Sequence, residues 1–212
     1  MEVAIFTFNP FAENTYVLYD ATKECVIFDP GCSNKDEQDQ LVDFISANGL
    51  KPVKLVNTHC HIDHVLGNMF VSEKYGLPLI SHEGEKSVLA MQPQISMMYG
   101  LPYDPSPEIT QFLDDGDVLT FGNTELKVLF TPGHSPASIS FYNEEAGIVI
   151  GGDVLFQGSI GRTDLPGGDF DTLAKSIKEK LYVLPDDVVV YCGHGPSTTI
   201  GVEKRTNPFV RE

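Results

Sequence analysis

Hydrophobic residues near the start of the chain fall into three short runs, separated by polar and turn-forming residues. Such runs, rich in β-branched and aromatic side chains, are typical of β-strands. The predicted strands are Val3–Phe8, Thr15–Tyr19 and Cys25–Phe28. A helix is predicted after them, because Asn34 and Glu37 have the spacing of an N-terminal capping box. Gly49 suits the left-handed residue that ends a helix.

Further along the chain, the spacing of apolar residues predicts more helices and a second group of strands. The predicted helices are Val65–Tyr75, a helix from Glu83 into the Met91–Met98 region, and Phe170–Leu181, whose apolar face carries Phe170, Leu173, Ala174, Ile177 and Leu181. The predicted strands are Val118–Phe121, Glu125–Phe130, Ser138–Tyr142 and Gly147–Ile150. Residues 100–110 contain Pro102, Pro105 and Pro107 and are predicted to form a loop.

Two groups of strands, each followed by helices, favour one type of architecture. The order predicts an α+β fold of the αββα sandwich type, in which two mixed β-sheets pack together and helices cover the outer faces. A doubly wound parallel α/β sheet is the alternative, which periodicity alone leaves open. No shift in composition and no linker divides the sequence. We therefore expect a single domain over residues 1–212.

The net charge and the cysteine pattern limit the expected binding partners and the expected cellular location of the protein. The chain has 30 acidic and 14 basic residues and a net charge of −16, which disfavours nucleic acid as a partner. Residues 1–6 do not resemble a signal peptide, and no apolar run is long enough for a membrane span. The four cysteines form no CxxC pair, as expected for free thiols in a reducing compartment. We expect a cytoplasmic protein.

The strongest chemical signal is the segment Thr58–His64, which reads Thr-His-Cys-His-Ile-Asp-His. Alternating positions direct His59 and His61 to the same side, as two ligands of one metal ion. Asp63 and His64 follow the bend and can bind a second ion beside it. Imidazole and carboxylate suit a divalent ion, with zinc as the first expectation and iron or manganese as alternatives.

Three more candidate ligands are distant in sequence but share a local context. His134, Asp153 and His194 each follow an apolar strand and a turn or glycine, which is where sheets gather their functional sites. Three of the seven predicted ligands would bind each metal ion, and the seventh would bridge the two ions. The first metal would be held by His59, His61 and His134, the second by Asp63, His64 and His194, and Asp153 would bridge them with its two oxygens. A shared hydroxide would then be the nucleophile, and Asp63 would steer it as the catalytic residue.

The motifs Thr58–His64, Thr131–His134, Gly151–Asp153 and Gly193–His194 resemble those of the metallo-β-lactamase superfamily. The resemblance implies an αββα sandwich with a dinuclear metal site. Together with the segment 158–164, it is most similar to short bacterial hydroxyacylglutathione hydrolases of the glyoxalase II type. It therefore implies hydrolysis of a small-molecule thioester, with a hydroxyacylglutathione as the expected substrate.

Departures from related families refine this expectation. The β-lactamases of this fold carry Cys or Ser where Asp153 stands. Long glyoxalases II continue with a helical domain that supplies much of the glutathione site, whereas only residues 195–212 follow His194 here. Glutathione is therefore implied less strongly than a thioester. A mononuclear iron persulfide dioxygenase, which shares the histidine motif, is one alternative. A metal-stabilised binding protein without turnover is another, and an RNA nuclease of the same fold is opposed by the net charge.

Arg162 is the predicted substrate-binding residue, because a guanidinium close to a metal ligand could hold a substrate carboxylate. A structural ion pair with Asp164 or Asp169 is the alternative. Cys60 and Cys192 flank predicted ligands, and we expect both to be small buried residues rather than ligands.

Overall fold

The computed structural model describes residues 1–211, which fold into two compact units. The first unit comprises Met1–Phe112 and Thr120–Thr124, and the second comprises Leu113–Leu119 and the chain from Glu125 onward. The strands form two six-stranded mixed sheets and one two-stranded sheet.

The first unit contains a sheet with the strand order β1-β2-β3-β4-β5-β6. Its strands are β1 (Glu2–Phe8), β2 (Glu13–Tyr19), β3 (Glu24–Phe28), β4 (Lys51–Val56), β5 (Leu79–Ser81) and β6 (Ile109–Phe112). Neighbours are antiparallel from β1 to β3 and parallel from β3 to β6. The helices are α1 (Lys35–Ala47), α2 (Ile62–Val65), α3 (Asn68–Tyr75) and α4 (Lys86–Tyr99), and a 3₁₀ turn over Glu83–Glu85 leads into α4.

Helix α1 begins at the predicted cap. The Asn34 side chain accepts a hydrogen bond from the backbone nitrogen of Glu37, which satisfies one of the free donors at the helix start. The Glu37 carboxylate does not close the predicted capping box. It accepts hydrogen bonds from the backbone nitrogens of Ser33 and Asn9 instead, so that it ties the helix to the loop after β1.

Parallel pairing aligns the ends of the central strands in the first unit. Ile27 of β3 pairs with Leu55 of β4, which pairs with Leu79 of β5, and all three are fully buried. Buried apolar side chains in neighbouring strands are typical of parallel strands that are covered on both faces. Because the carboxyl ends of these strands lie side by side, Asp29 and the residues after Val56 are placed at one edge of the sheet.

The second sheet has the strand order β14-β13-β10-β9-β8-β7. Its strands are β7 (Val118–Phe121), β8 (Thr124–Phe130), β9 (Ile139–Asn143), β10 (Ile148–Gly152), β13 (Val189–Cys192) and β14 (Thr198–Thr199), and the short strands β11 (Leu155–Phe156) and β12 (Ser159–Ile160) form a separate hairpin. Strands β10 and β13 are parallel and end together, since Gly152 pairs with Cys192. Asp153 and His194 therefore follow neighbouring strand ends.

The helices of the second unit are α5 (Phe170–Ser176), which continues into a π-helical turn over Ile177–Leu181, and α6 (Ile200–Thr206). Leu173, Ile177 and Leu181 are fully buried and belong to the same core as Val149 and Val190 of the sheet. The predicted apolar face of this helix is thus confirmed for these three residues. Phe170 is different, because its ring is 46% exposed at the helix start.

The predicted fold class is confirmed, and three details of the elements differ from the prediction. The predicted helix Val65–Tyr75 begins later, as α3, because its first residues are the end of α2 and a turn that includes Gly67. The Gly67 nitrogen donates to the Pro30 carbonyl, and a Cβ at Gly67 would collide with Cys32 and Pro30. Strand β6 begins inside the predicted loop, and helix α6 was not predicted. Within residues 1–211, no helix is long and apolar enough to cross a membrane.

Candidate metal centre

The histidine motif lies directly after the carboxyl end of β4. Strand β4 ends at Val56, and His61 is the N-terminal cap of the short helix α2. The imidazoles of His59 and His64 are fully buried, and their ring centroids are 4.1 Å apart. The ring of His61 lies perpendicular to that of His59, with 4.8 Å between centroids. The sharp turn from strand to helix therefore brings three imidazoles into one cluster.

A buried carboxylate that was not predicted as a site residue, Asp29, supports this cluster. It follows β3 and accepts hydrogen bonds from the backbone nitrogen of Thr58 at 2.7 Å and from the Thr58 hydroxyl at 2.6 Å. One of its oxygens is 3.2 Å from Nδ1 of His64. A carboxylate at one ring nitrogen fixes the orientation of an imidazole and leaves the other nitrogen for a metal ion. Nε2 of His64 lies 3.7 Å from a carboxylate oxygen of Asp63.

Glu13 is a second buried acid behind His64. Its Oε1 is 3.9 Å from His64 Nδ1, and its Oε2 accepts a hydrogen bond from the Thr15 hydroxyl at 3.0 Å. Burial raises the pKa of Glu13 well above its usual value, while the nearby His64 partly opposes that shift. Gly31 is required at this place, because a Cβ there would collide with the Glu13 carboxylate.

The backbone of the motif is anchored from both sides. The Asn9 side chain donates hydrogen bonds to the carbonyl oxygens of Gly31 and Asp63, each at 3.0 Å. Between the first two histidines, the backbone nitrogen of Cys60 donates to the buried carboxylate of Glu85 at 2.8 Å. These contacts hold the loop in one conformation, as a metal-binding loop needs before the metal arrives.

In the second unit, Asp153 is the central member of a cluster with two histidines. Nε2 of His134 and Nε2 of His194 each lie 3.4 Å from the same oxygen, Oδ2 of Asp153. Nδ1 of His134 is 2.7 Å from the backbone carbonyl of Arg162. Since a carbonyl oxygen only accepts, Nδ1 donates the proton of this hydrogen bond. Nε2, which faces Asp153, is therefore the ring nitrogen that His134 can offer to a metal ion.

The donor atoms in the two units are chemically suited to divalent metal ions. In the first unit, Nε2 of His64 lies 3.7 Å from a carboxylate oxygen of Asp63, and the ring centroid of His61 lies 4.8 Å from that of His59. The second unit offers a carboxylate with two imidazole nitrogens. Nitrogen and oxygen donors of this kind hold zinc, iron or manganese. The residues therefore fit the divalent metal ions that the sequence predicted.

The thiols beside the motifs are not ligands in this arrangement. Cys60 and Cys192 are fully buried, as expected. Burial raises the pKa of the Cys192 thiol to about 12, and burial together with the Glu85 charge raises the pKa of Cys60 well above its ordinary value. The thiolate is the form that binds metals, and both side chains stay protonated near neutral pH in the metal-free protein.

Arg162 forms the ion pair that the sequence offered as its alternative role. Its guanidinium donates two hydrogen bonds to the Asp164 carboxylate, both at 2.7 Å, and 59% of its side chain is exposed. The pair holds the pKa of Asp164 at about 2. Binding of a substrate carboxylate by Arg162 stays a prediction.

The predicted ligands are thus gathered in two clusters, with four in the first unit and three in the second. The joint assignment of all seven to two metal ions stays a prediction. Sequence reasoning missed the buried acids Asp29, Glu13 and Glu85, which hold the motif. Asp29 had a signal that could have found it, because it follows an apolar strand, as the predicted ligands do. Glu13 and Glu85 have no such signal.

Comparison with known proteins now identifies the family. Residues 8–194 match the family model described as the metallo-beta-lactamase superfamily. The chain therefore belongs to the metallo-β-lactamase superfamily, and it is a metallo-hydrolase by class. The resemblance inferred from the motifs is confirmed.

Two relatives align with nearly the whole chain. A probable metallo-hydrolase, YqgX of Bacillus subtilis (strain 168), is 42% identical over 203 residues, which are 95% of this chain and 93% of the relative. The hydroxyacylglutathione hydrolase GloC of Haemophilus influenzae is 37% identical over 212 residues, which are 99% of this chain and 98% of the relative.

Solved structures share the fold at high similarity. The B3 metallo-β-lactamase BLEG-1 has a TM-score of 0.90 and 37% identity, with 100% of both chains covered. TTHA1623 in a di-iron-bound form has a TM-score of 0.88 and 36% identity, with 98% of this chain and 100% of that chain covered. ETHE1 from Myxococcus xanthus has a TM-score of 0.81 and 27% identity, with 98% of this chain and 84% of that chain covered.

Proposed function

We propose that this chain is a dinuclear metallo-hydrolase that cleaves a thioester, with a hydroxyacylglutathione or a similar compound as its substrate. The observation that carries the proposal is the position of Asp153, whose Oδ2 lies 3.4 Å from Nε2 of both His134 and His194. An aspartate in this position can bridge two ions, because it has two oxygens. The 37% identity to GloC, which is named a hydroxyacylglutathione hydrolase, supports the substrate class.

Seven residues would hold the two metal ions in this proposal. They are His59, His61, Asp63, His64, His134, Asp153 and His194. Zinc is the first candidate, and the di-iron form of TTHA1623 makes iron a strong alternative. When bound, the ions would polarise the substrate carbonyl and lower the pKa of a bound water.

The chain's own residues would orient the reactants around the ions. Asp63 has a partly exposed carboxylate whose backbone is anchored by Asn9, so it can accept a hydrogen bond from the attacking water and aim it. Arg162 would exchange Asp164 for a carboxylate of the substrate, because a guanidinium binds either carboxylate with the same paired geometry. This exchange would favour acidic thioesters over neutral ones.

The remaining features of the proposal concern the whole protein. The family match over residues 8–194 supports one hydrolase domain that extends over residues 1–212. The cysteines Cys25, Cys32, Cys60 and Cys192 are buried and carry thiols rather than disulfides, which supports a cytoplasmic location, where thiols stay reduced. The net charge of −16 supports a small-molecule substrate rather than nucleic acid.

A substrate panel tests the proposal. Metal-loaded protein would be assayed with S-lactoylglutathione, with a chromogenic β-lactam, and with glutathione persulfide under an oxygen electrode. We expect thioester turnover above that of free metal. Asp153→Asn should remove this turnover, and the exposed variant Asp39→Asn should keep it. Oxygen uptake with one iron per chain would replace the proposal by a persulfide dioxygenase. Turnover of the β-lactam alone would replace it by a β-lactamase, and metal binding without turnover of any compound would indicate a binding protein.

A further inference from the structure

Glu203 of helix α6 has a fully buried carboxylate within the second unit. Its Oε1 accepts a hydrogen bond from the Thr198 hydroxyl at 2.5 Å, and its Oε2 accepts from the backbone nitrogen of Gly158 at 3.0 Å and from the Asn207 side chain at 2.9 Å. A buried charge is costly unless it is well hydrogen-bonded, and three donors meet this need. The carboxylate therefore joins three separate segments of the chain.

One of these segments is the hairpin β11–β12, which lies between Asp153 and Arg162. Gly158 precedes β12, and Glu203 binds its nitrogen. Asn207, which is held by Glu203, also donates to the carbonyl oxygen of Ser159 at 2.9 Å. Two adjacent backbone groups of the hairpin are therefore fixed by the C-terminal helix region.

The hairpin contacts one proposed histidine ligand of the second unit, and the residues that directly follow it contact the other. The ring of Phe156 meets the ring of His194 edge-on, with 6.3 Å between centroids. After the hairpin, the Arg162 carbonyl accepts the Nδ1 proton of His134. Gly161 lies so close that a Cβ there would collide with the Asp153 carbonyl and lie 3.0 Å from the His134 ring. A displaced hairpin would therefore disturb both imidazoles.

A second route leads from Glu203 to His194 through the sheet. Thr198 belongs to β14, which pairs with β13, and His194 lies in the connection between these two strands. Glu203 holds the Thr198 hydroxyl and thus fixes the far end of that connection. The same carboxylate restrains the segment of His194 and the hairpin that packs against its ring.

We propose that Glu203 is a positioning residue that sets the orientation of His134 and His194 for metal binding through the β11–β12 hairpin. Removal of a group that hydrogen-bonds directly to a metal ligand changes metal affinity by about 10- to 100-fold. Because Glu203 acts through the hairpin, we expect an effect at the lower end of this range. This role depends on the proposed metal ligands, and it does not depend on the thioester substrate.

Metal affinity of the intact chain tests the role of Glu203. Zn²⁺ affinity would be measured by competition with a chromogenic chelator, and the ligand geometry would be followed by the absorption spectrum of the Co²⁺-loaded protein. Glu203→Gln keeps the shape of the side chain but removes its charge. We expect it to weaken metal binding about 10-fold and to alter the Co²⁺ spectrum. Asn207→Ala, which cuts the contact with Ser159, should change both readouts in the same direction.

Two control variants separate positioning from general stability. Tyr182→Phe removes a buried hydrogen bond to the Val210 carbonyl, and Asn143→Ala removes the contacts with Glu125 and Ala146. Both should lower the melting temperature and leave metal affinity and the Co²⁺ spectrum unchanged. The proposal is overturned if folded Glu203→Gln and Asn207→Ala bind metal as the wild type does, or if the controls weaken binding equally.

The wild-type chain distinguishes failure of this role from failure of the proposed function. If the wild type binds no divalent metal, the ligand assignment and the role of Glu203 are both wrong. If it binds metal but cleaves no thioester, only the proposed substrate is wrong. Should Glu203→Gln fail to fold, Asn207→Ala and Thr198→Val carry the test, since each removes one partner of the same carboxylate.

Discussion

His134 donates its Nδ1 proton to the backbone carbonyl oxygen of Arg162 over 2.7 Å. The contact uses the backbone of Arg162, while the guanidinium of the same residue binds Asp164. Arg162 therefore has two separate roles. Its backbone carbonyl orients the proposed metal ligand His134, and its guanidinium is the proposed substrate-binding group. Substitution of the Arg162 side chain should leave His134 in place, whereas a change in the backbone path beside it should not.

We expect Gly161→Ala to lower metal affinity and activity by about 10-fold or more, because the added Cβ would collide with the Asp153 carbonyl and push the Arg162 carbonyl away from His134. Metal affinity and kcat would be measured on the same preparation. Gly151→Ala is the matched control, since a Cβ there would meet Val190 at 3.3 Å, a contact that a small shift relieves. If both variants lost metal affinity and kcat equally, the effect would not be specific to Gly161, and its proposed role would be wrong.

Asp29→Asn should weaken metal binding by about 10- to 100-fold, because the amide cannot replace the charge that faces Nδ1 of His64. It should also destabilise the protein by about 1–3 kcal/mol, since the buried contacts with Thr58 lose a charged acceptor. Chelator competition and urea unfolding would measure the two effects. The exposed variant Asp39→Asn should change neither metal affinity nor stability. Wild-type metal affinity in Asp29→Asn would contradict the role of Asp29.

Asp153→Asn should reduce kcat by more than about 100-fold and lower the metal content, because removal of a bridging ligand should cost more than removal of an outer contact. Metal analysis of protein purified without added metal, together with a thioester assay, would check this. The control Asp164→Asn lies in the same unit at an exposed position and should keep the full metal content. Unchanged metal content in Asp153→Asn would rule out the bridge.

The ligand motif was readable from the sequence because its chemistry is local. His59, His61, Asp63 and His64 lie in one short segment after an apolar strand, so their spacing alone predicts that their side chains lie close together. Distant residues such as Asn9 and Asp29 then hold this segment in place. The fold class was readable for a related reason, since strands and helices leave periodic apolar patterns. Helix α6 was not predicted because Glu203 in the helix and Asn207 at its C-terminal cap are polar but buried, against the pattern of a surface helix.

The supports of the site were not readable because long-range packing creates them. Glu13 follows the loop between two strands and looks like a solvent-exposed acid, yet its carboxylate is buried behind His64. Glu85 looks like part of a polar turn, and only the fold brings it to the nitrogen of Cys60. The role of Arg162 was left open between a substrate contact and an ion pair, because the sequence places it near the predicted ligand Asp153 and also near the acids Asp164 and Asp169.

The ion pair between Arg162 and Asp164 makes a pH prediction. The hydrogen bonds from Arg162 lower the pKa of Asp164 from 3.8 to about 2. Because the folded-state pKa lies below the ordinary value, the pair stabilises the protein fully above about pH 4 and loses this effect as the pH falls toward 2. Arg162→Gln should raise the pKa of Asp164 toward 3.8, as followed by NMR of its carboxyl carbon. Asp169, whose pKa is lowered by Thr172, is the internal control and should not move.

Arg162→Gln also tests the proposed substrate contact. If the guanidinium binds a substrate carboxylate, this variant should raise KM for S-lactoylglutathione by about 10-fold and leave kcat nearly unchanged, since charged hydrogen bonds contribute about 1.5–3 kcal/mol. KM for a neutral thioester should not change. Asp164→Asn releases the guanidinium from its partner and should lower KM for the acidic substrate. Equal KM values for wild type and Arg162→Gln with both substrates would restrict Arg162 to its ion pair and to the backbone contact with His134.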